Sequence, residues 1–402
     1  MTNLYKVYTS LTRNGPAFLT VTMKEWLFQT GKHLLKRLGF DFLTKEQTEL
    51  YLQRYEVTTE AGSTLRLPAI VNASESGKLI FTEKRIQFPP TYVWCVPAAA
   101  GKTRQLVTGG LLLNHKVLKT DYRHRDLAKM YLRPRIRRVI VTDTLLAPWS
   151  QVFDDVWFGG YYDFMLLVAA KICRIREALP ASVFSEAILA YPLLGTSYER
   201  DFMDLMGLRE EQVVDSRLCN VTFSACVLGN SNSWIYPNVA DIQALKKQVE
   251  ARVEFVPTEP RRLYISRAGR RRIRNEAELV DALKPLGFEI IDDKPRSIAE
   301  QVQLYKSASF ILGPHGASFT NIIWCEPGTH LFELFSPDYT PEYFLYLAQV
   351  MNLQYSAYSH GKSTGDGRFG ISDDIYVAVP ELISRLRSLL DPAIQTNYPP
   401  TA

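Results

Sequence analysis

The sequence lacks the features that mark membrane-embedded, disulfide-bonded or metal-centred proteins. Its 402 residues contain no apolar run near the ~20 residues that a membrane-spanning helix needs. Cysteine is scarce: the five present are an odd number without paired metal-binding spacing, which argues against a disulfide framework and favours a reducing cytoplasm. The first residues lack the charged and then apolar order of a signal peptide. We therefore expect a cytoplasmic protein.

Excess charge of one sign is also missing. The formal net charge is +5, too small by itself to indicate nucleic-acid binding, and we expect no nucleic-acid partner. Hydrophobic residues make up 46% and charged residues 22%, a globular balance, and 402 residues can form two cores of ordinary domain size. No Gly-x-Gly-x-x-Gly follows the first predicted strand of either half, which excludes a Rossmann dehydrogenase.

One phosphate-binding pattern is present only in part. The segment Ala98–Thr103 ends in Gly-Lys-Thr, like a P-loop, but that motif needs glycine where this chain has Val96. We therefore interpret this segment as unrelated to nucleotide binding.

The most informative stretch is Gly313–Asn321, Gly-Pro-His-Gly-Ala-Ser-Phe-Thr-Asn, which joins two apolar runs. The run before it, Ser309–Leu312, predicts a short buried strand, and the run after it, Ile322–Trp324, predicts a helix that Pro327-Gly328 ends. A strand that turns at glycine into a helix presents free backbone N–H groups at the positive end of the helix dipole, where phosphate binds well. His315 can add a further donor.

The same alternation of strand and helix continues on both sides of this turn. Strands are predicted at Leu263–Ser266, Phe288–Ile291, Ser309–Leu312 and His330–Phe335. Helices are predicted at Asn275–Leu286 with a stop at Gly287, from the capping box Ser297–Glu300 onward with Ile298, Val302 and Tyr305 buried, and from Thr340-Pro341 to about Met351. This spacing predicts an α/β fold with a parallel sheet covered on both faces. Ligands bind such sheets outside the carboxyl ends of the strands, so the segments that end these strands should line one crevice.

These residues together resemble glycosyltransferase family 61, which includes enzymes that add xylose or N-acetylglucosamine to polysaccharides and glycoproteins. The matching elements, in order from Arg262 to about Leu353, are Ile265–Arg267, Arg271–Glu276, Gly287–Glu289, Gln301, Gly313–Ala317, Asn321, Pro327-Gly328 and Glu333-Leu334. The resemblance implies a bacterial-type member with a GT-B fold, in which two Rossmann-like domains face a central cleft. It also implies inverting transfer from a nucleotide sugar, without a metal or cofactor.

The resemblance and the phosphate-binding turn suggest a role for each residue of the crevice. Negative charge grows on the leaving diphosphate, and the expected cations are Arg267 and Arg272. The amides of Gly316 and Ala317, together with His315, are expected to supply the remaining donors. Two further residues complete the predicted donor site. Glu333 is expected to accept hydrogen bonds from the ribose, with a buried structural carboxylate as the alternative, and Asn321 is expected to brace the phosphate helix.

The general base is harder to assign. Family members commonly have an Asn, an aromatic pair and a His at the start of an N-terminal helix, whereas this chain has Gly160 and Asp163 at the first and last of these positions. A carboxylate can deprotonate a sugar hydroxyl within hydrogen-bond distance, so Asp163 is the predicted base, with a helix cap as the alternative. Asp154 and Asp155 are nearby alternates. They lack the Asp-x-Asp spacing of metal-dependent glycosyltransferases.

The N-terminal half is predicted to bind the acceptor, with domains at 1–235 and 236–402. Their boundary is predicted near Asn230–Pro237, where Gly229–Ser233 has the composition of a loop. Short strands at Leu79–Phe81, Val93–Val96 and Val139–Thr142 and helices at Phe164–Leu179 and within Pro192–Met206 are predicted here. The segment Thr22–Leu38 reads as a basic amphipathic helix, either core-facing or lying at the inner face of a membrane. The basic run Arg133–Arg138 is either a solvated strand edge or a site for an anionic acceptor or lipid headgroup.

The sequence therefore predicts a glycosyltransferase that moves a sugar from a nucleoside-diphosphate sugar, expected to be UDP-linked, to a glycan or glycolipid hydroxyl in polysaccharide, such as capsule, or glycoconjugate biosynthesis. The alternative is a non-catalytic nucleotide-sugar or glycan-binding protein on a degenerate transferase scaffold, because the Asp163 region departs from the family pattern.

Overall fold

A computed structural model describes residues 30–31, 33–75, 77–106, 110–119, 138–148, 160–363 and 370–391. The strands are β1 (Asp41–Phe42), β2 (Glu56–Glu60), β3 (Ser63–Leu67), β4 (Ile70–Val71), β5 (Leu79–Phe81), β6 (Lys84–Phe88), β7 (Thr91–Pro97), β8 (Thr103–Gln105), β9 (Leu111–Leu113), β10 (Lys116–Val117), β11 (Arg138–Ala147), β12 (Ile188–Tyr191), β13 (Val213–Asp215), β14 (Cys219–Gly229), β15 (Arg261–Ile265), β16 (Phe288–Ile291), β17 (Ala308–Pro314), β18 (His330–Phe335) and β19 (Gln354–Ser359). The α-helices are Lys45–Leu52, Tyr161–Asp163, Ala170–Glu177, Ala181–Glu186, Ser197–Leu205, Val239–Glu250, Glu276–Leu283, Ile298–Lys306, Tyr343–Val350 and Val379–Leu390. A π-helix, Phe164–Ala169, joins two of them, and 3-10 helices lie at Gln53–Tyr55, Ala98–Ala100, Glu210–Gln212, Lys284–Leu286, Ala317–Trp324 and Gly370–Ser372.

The C-terminal half contains the predicted parallel sheet. Five strands lie in the order β16-β15-β17-β18-β19, and each neighbouring pair is parallel. Among these five strands, β15 comes first in the sequence, yet it lies between β16 and β17, which come second and third. The strand order therefore reverses between β15 and β17. In doubly wound sheets ligands bind at this reversal point, beyond the carboxyl ends of the strands.

Both faces of this sheet are covered, because its strands are apolar at successive positions. Leu263, Ile311 and Leu331 pack into one core cluster with helices Ile298–Lys306 and Tyr343–Val350. On the opposite face, a second cluster packs against helices Glu276–Leu283 and Val379–Leu390 and includes Tyr264, Phe288, Phe310, Leu312, Phe332 and Leu334. This pattern confirms the prediction of a parallel sheet buried on both faces.

In this half, the sequence correctly predicted where most helices and strands begin and end. The capping box of Ser297 and Glu300 opens helix Ile298–Lys306, and Gly287 ends the preceding helical segment with φ of 75°. Two predictions were wrong in detail. The segment after Gly316 is a tight 3-10 helix, and the helix after Pro341 begins at Tyr343, so Pro341 precedes it.

The N-terminal half is built on a mixed six-stranded sheet in the order β13-β12-β11-β14-β7-β2. The first four strands are mutually parallel, β7 pairs antiparallel with β14, and β2 pairs antiparallel with β7. The predicted strands at Leu79–Phe81, Val93–Val96 and Val139–Thr142 are present in β5, β7 and β11. Gly101 follows a short 3-10 helix and leads into β8, which agrees with excluding a P-loop there, since that motif opens an α-helix.

Each half of the chain, divided at residue 235, packs one of its segments against the other half. Helix Val239–Glu250 packs against helix Ala170–Glu177 of the N-terminal half. In return, Asn72 binds the edge strand β19 of the C-terminal sheet: its side chain donates to the Ser359 carbonyl at 2.8 Å and accepts from the Ser359 amide at 3.0 Å. The two sheets are thus separate in sequence while each half contributes a packing element to the other.

Several predicted N-terminal features lie partly outside the described residues. The structure does not describe residues 22–29 and 32 of the amphipathic segment or residues 133–137 of the basic run. Residues 33–37 are helical, and Leu34 and Leu38 are 59% and 64% exposed. Within the described ranges, no helix combines the length and the apolar character needed to cross a membrane.

Candidate functional site

The carboxyl ends of β15 and β17 approach each other closely at Gly313. A Cβ atom at Gly313 would lie 2.8 Å from the Ile265 carbonyl oxygen, so only glycine allows this approach of the two strands. Three residues further, the Arg267 guanidinium lies over Gly316, where a Cβ would come within 1.5 Å of Nη1. The chain therefore brings Arg267 to the turn at Gly313–Ala317, which the sequence predicts to bind phosphate.

The turn opens the 3-10 helix Ala317–Trp324, with Gly316 as its N-cap. At the start of this helix, the Phe319 amide donates a hydrogen bond to the Gly316 carbonyl at 3.0 Å. The amides of the residues before Phe319, Ala317 among them, have no acceptor in a preceding helical turn, so they can donate to a ligand. These amides and Arg267 face the same turn.

Arg267 is a half-buried cation. Its Nε donates to the Arg270 carbonyl at 2.6 Å, and burial lowers the pKa of the guanidinium below its ordinary value. Among the described residues, no carboxylate forms an ion pair with Arg267. A guanidinium stays protonated in proteins, so an anionic ligand would compensate this charge.

The structure buries Arg271 beside His315, whereas the predicted cation Arg272 is exposed. Arg271 is 5% exposed, its Nε donates to the His315 carbonyl at 3.0 Å, and burial together with neighbouring arginines lowers its pKa to about 10. The Arg272 side chain is 63% exposed and pairs with Asp374 at 2.9 Å. The left-handed backbone of Arg271, with φ of 60°, turns the two side chains in different directions.

His315 and Glu333 form a buried pair. The His315 Nδ1 lies 2.5 Å from Glu333 Oε1, and Tyr355 donates its hydroxyl proton to Glu333 Oε2, also at 2.5 Å. Glu333 is 0% exposed, and both of its oxygens are bonded within the protein. Glu333 was expected at the ribose, but the structure places it behind His315, because its strand position in β18 points it into the core.

Asn321 connects the 3-10 helix to the N-terminal half. Its Oδ1 accepts from the Tyr161 hydroxyl at 2.7 Å and from Trp324 Nε1 at 3.1 Å, while its Nδ2 donates to the Ser318 carbonyl at 3.1 Å. Asn321 is 1% exposed. These contacts and its burial give Asn321 a bracing position.

Asp163 lies at the start of the N-terminal helix and has two kinds of contact. One carboxylate oxygen accepts from the Gly160 amide at 3.1 Å, which is a capping interaction, and the other accepts from Trp234 Nε1 at 2.6 Å. Asp163 is 7% exposed. The alternates Asp154 and Asp155 lie outside the described residues.

Aromatic side chains link Asp163 to His315. The Tyr343 ring lies 5.2 Å from the Trp234 ring and 5.9 Å from the His315 imidazole, measured between centroids. The sequence did not indicate Trp234, Tyr343, Tyr355 or Arg271 as site residues. Arg271 could have been found, since it lies in the quoted arginine cluster, but the aromatic contacts depend on tertiary packing alone.

The sequence pattern of the family described as Glycosyltransferase 61 matches residues 126–332, just over half of the chain. The chain belongs to glycosyltransferase family 61. The match includes Asp163, Arg267, Arg271 and the whole phosphate-binding turn, and it ends just before Glu333. The members of this family are described as glycosyltransferases.

Relatives of this family 61 member are distant. A β-1,2-xylosyltransferase from Arabidopsis thaliana is 36% identical over 61 residues, which is 15% of this chain and 11% of that protein. The chain thus matches about a tenth of the length of this curated relative. Two crystal structures of TibC are each 11% identical to this chain. One is described as an iron-containing dodecameric glycosyltransferase from enterotoxigenic E. coli, and the other as a dodecameric iron-containing heptosyltransferase in complex with ADP-D-β-D-heptose. They cover 84% of this chain and 90% and 89% of theirs, at TM-scores of 0.28 and 0.29, too low to carry an argument.

Proposed function

We propose that this protein transfers a sugar from a nucleoside-diphosphate sugar, UDP-linked, to a glycan hydroxyl, with inversion and without a metal. The observation that supports the proposal is the convergence of Arg267, Arg271, His315 and free helix amides at the reversal point of a parallel sheet. Such a set of buried donors suits a diphosphate. The proposal includes a GT-B arrangement, with the donor bound by residues 236–402 and the acceptor by residues 1–235.

In the proposed reaction, the acceptor oxygen forms a bond to the anomeric carbon while the bond from that carbon to the diphosphate oxygen breaks. The electron pair of the broken bond passes to the diphosphate, where the charge is stabilised by fixed donors that need no reorganisation. One displacement of this kind inverts the configuration at the carbon. Arg267 and Arg271 supply full positive charges here, and this is the basis for proposing that transfer needs no divalent cation.

Asp163 is the proposed general base, and it takes the proton of the acceptor hydroxyl. Its hydrogen bond from Trp234 fixes the carboxylate while leaving its charge in place, because an indole N–H donates without transferring its proton. Tyr343 and Trp234 form an aromatic surface between this carboxylate and His315, and we place the transferred sugar against it.

The proposed setting is polysaccharide, such as capsule, or glycoconjugate biosynthesis in the cytoplasm, with a glycan or glycolipid acceptor and peripheral contact with the membrane. The second candidate is a non-catalytic nucleotide-sugar-binding protein. One observation favours it: Asp163 caps the helix start through the Gly160 amide, a contact that needs no catalytic role.

The deciding experiment is a screen of nucleotide sugars for release of free nucleotide, with and without candidate glycan acceptors. Mass analysis of each reaction would then identify the glycoside, and NMR of the product linkage would identify its anomeric configuration. We expect acceptor-dependent release with at least one UDP sugar and an inverted product. Tight nucleotide-sugar binding without any glycoside product would favour the binding protein, and a retained configuration would contradict the mechanism.

A further inference from the structure

His315 is at the end of a buried chain of hydrogen bonds that begins at Tyr355. The Tyr355 hydroxyl donates to Glu333 Oε2, and Glu333 Oε1 contacts His315 Nδ1, both at 2.5 Å. The carboxylate between them is fully buried. The second ring nitrogen of His315, Nε2, has no hydrogen-bond partner among the described residues, although the side chain is only 4% exposed.

Groups on several elements face this imidazole. Arg271 and Arg267, from the loop after β15, are positive and disfavour a second positive charge. Glu333 in β18 is negative and favours it. Tyr339 and Tyr343 place neutral rings at 5.5 and 5.9 Å between centroids, and Phe335 and Phe344 complete the surroundings. Asp163 lies beyond Tyr343 and Trp234.

We propose that Tyr355 and Glu333 position His315 to take up a proton when a diphosphate binds, so that an imidazolium faces the leaving group. This inference rests on the proposed diphosphate site. In the free protein, Nδ1–H donates to Glu333 and Nε2 is unprotonated. On donor binding, one proton from the solvent adds to Nε2, which then donates to a phosphate oxygen, and the proton returns to the solvent when the nucleoside diphosphate leaves.

The protonation of His315 depends on a balance between its burial and the charges around it. Burial is the largest influence on the pKa of His315 and lowers it below its ordinary value, while Glu333 acts in the opposite direction. His315 is therefore neutral near pH 7 without ligand. A diphosphate placed among Arg267, Arg271 and His315 offsets the two arginine charges and adds attraction for an imidazolium, so the pKa rises on binding. Proton uptake makes binding weaker as pH rises between the free and bound pKa values.

The test compares UDP binding by calorimetry in the wild type, Glu333→Gln and Glu199→Gln, in two buffers of different ionisation enthalpy at pH 7.5. Glutamine can still accept from Nδ1–H but carries no charge. Glu199 is a matched control, because it too is buried and accepts from a tyrosine, Tyr191, at 2.5 Å, outside this crevice. Since a terminal phosphate itself titrates near pH ~6, the quantity of interest is the difference between the proteins.

We expect the wild type and Glu199→Gln to take up close to one proton more than Glu333→Gln. Between pH 7 and 8.5, their UDP affinity should fall by up to about tenfold per pH unit relative to Glu333→Gln. Equal proton uptake in all three proteins would overturn the inference while leaving the diphosphate site intact. Failure of UDP to bind the wild type would overturn the site and the inference together.

A second measurement needs no change to Glu333. Histidine side-chain NMR of the wild type at pH 7.5, with and without UDP, should show one imidazole becoming protonated, and this signal should be absent in His315→Asn. His330 provides an internal reference, because burial lowers its pKa to about 4 and keeps it neutral in both states. Six histidines are present, and no change in the protonation of any of them on UDP binding would overturn the proposal.

Discussion

His315 and Asp163, the two ends of the proposed site, have the same local arrangement, a buried carboxylate that accepts from a ring N–H, but with different rings. At one end Glu333 contacts the imidazole of His315, and at the other Asp163 accepts from the indole of Trp234. An imidazole can gain a proton and become a cation, whereas an indole only donates. In the functions proposed above, Glu333 therefore changes the charge state of its partner, whereas Trp234 orients Asp163 and leaves it able to accept a proton.

The largest effect expected from this comparison is at Asp163. Asp163→Asn keeps the shape and an acceptor for Trp234 but removes the basic charge, so transfer should fall about a hundredfold or more. UDP affinity, measured by calorimetry, should stay within about twofold of the wild type. Trp234→Phe should lower transfer less, because the carboxylate remains but is no longer oriented. Parallel losses of binding and turnover in Asp163→Asn would instead indicate a structural cap.

At the other end, the cations should matter for binding as well as for transfer. Charge-assisted contacts to phosphate contribute roughly 1.5–3 kcal/mol, so Arg267→Ala, Arg271→Ala and His315→Ala should each weaken UDP binding about tenfold to a hundredfold. Arg272→Ala is the matched control from the same loop. Its exposed ion pair with Asp374 predicts a change below about fivefold. A larger loss for Arg272→Ala than for Arg271→Ala would reverse our assignment of the second cation.

The hydrogen bonds of Asn321, which connect the 3-10 helix to the N-terminal half, should affect the stability of the fold more than the rate of transfer. Asn321→Ala removes a buried amide that accepts from Tyr161 and Trp324, leaving their donors without a partner. We expect the free energy of unfolding in urea to fall by about 1–3 kcal/mol. Tyr161→Phe, which removes only one of these bonds, should cost less. An unchanged unfolding midpoint for Asn321→Ala would show that this bridge contributes nothing to stability.

The smallest expected effect is that of a chelator. Because Arg267 and Arg271 already supply positive charge at the turn, transfer should stay within about twofold of its initial rate in excess EDTA. Loss of transfer that a divalent cation restores would show that the two arginines do not suffice.

The C-terminal half was predictable because its signals are local. The glycine turn at Gly313, the capping box at Ser297 and the stop at Gly287 depend on neighbouring residues, and the structure contains each of them. In the N-terminal sheet, by contrast, β14 pairs with β7 across more than a hundred residues, a pairing that no local pattern indicates. The same limit explains the site residues. Arg272 was selected over Arg271 because spacing alone does not reveal a left-handed backbone at Arg271, and the burial of Glu333 depends on its strand neighbours.

The contact between Asn72 and Ser359 also bears on how the protein behaves in concentrated solution. Strand β19 is the last strand of the C-terminal sheet, and an open edge of this kind can pair with a strand of another molecule and begin aggregation. The Asn72 side-chain amide occupies both hydrogen-bonding groups of Ser359, and the Ala73 amide donates to the Ala357 carbonyl at 2.9 Å. A short N-terminal segment therefore blocks this edge at Ala357 and Ser359, and its loss would expose a template for association between copies of the chain.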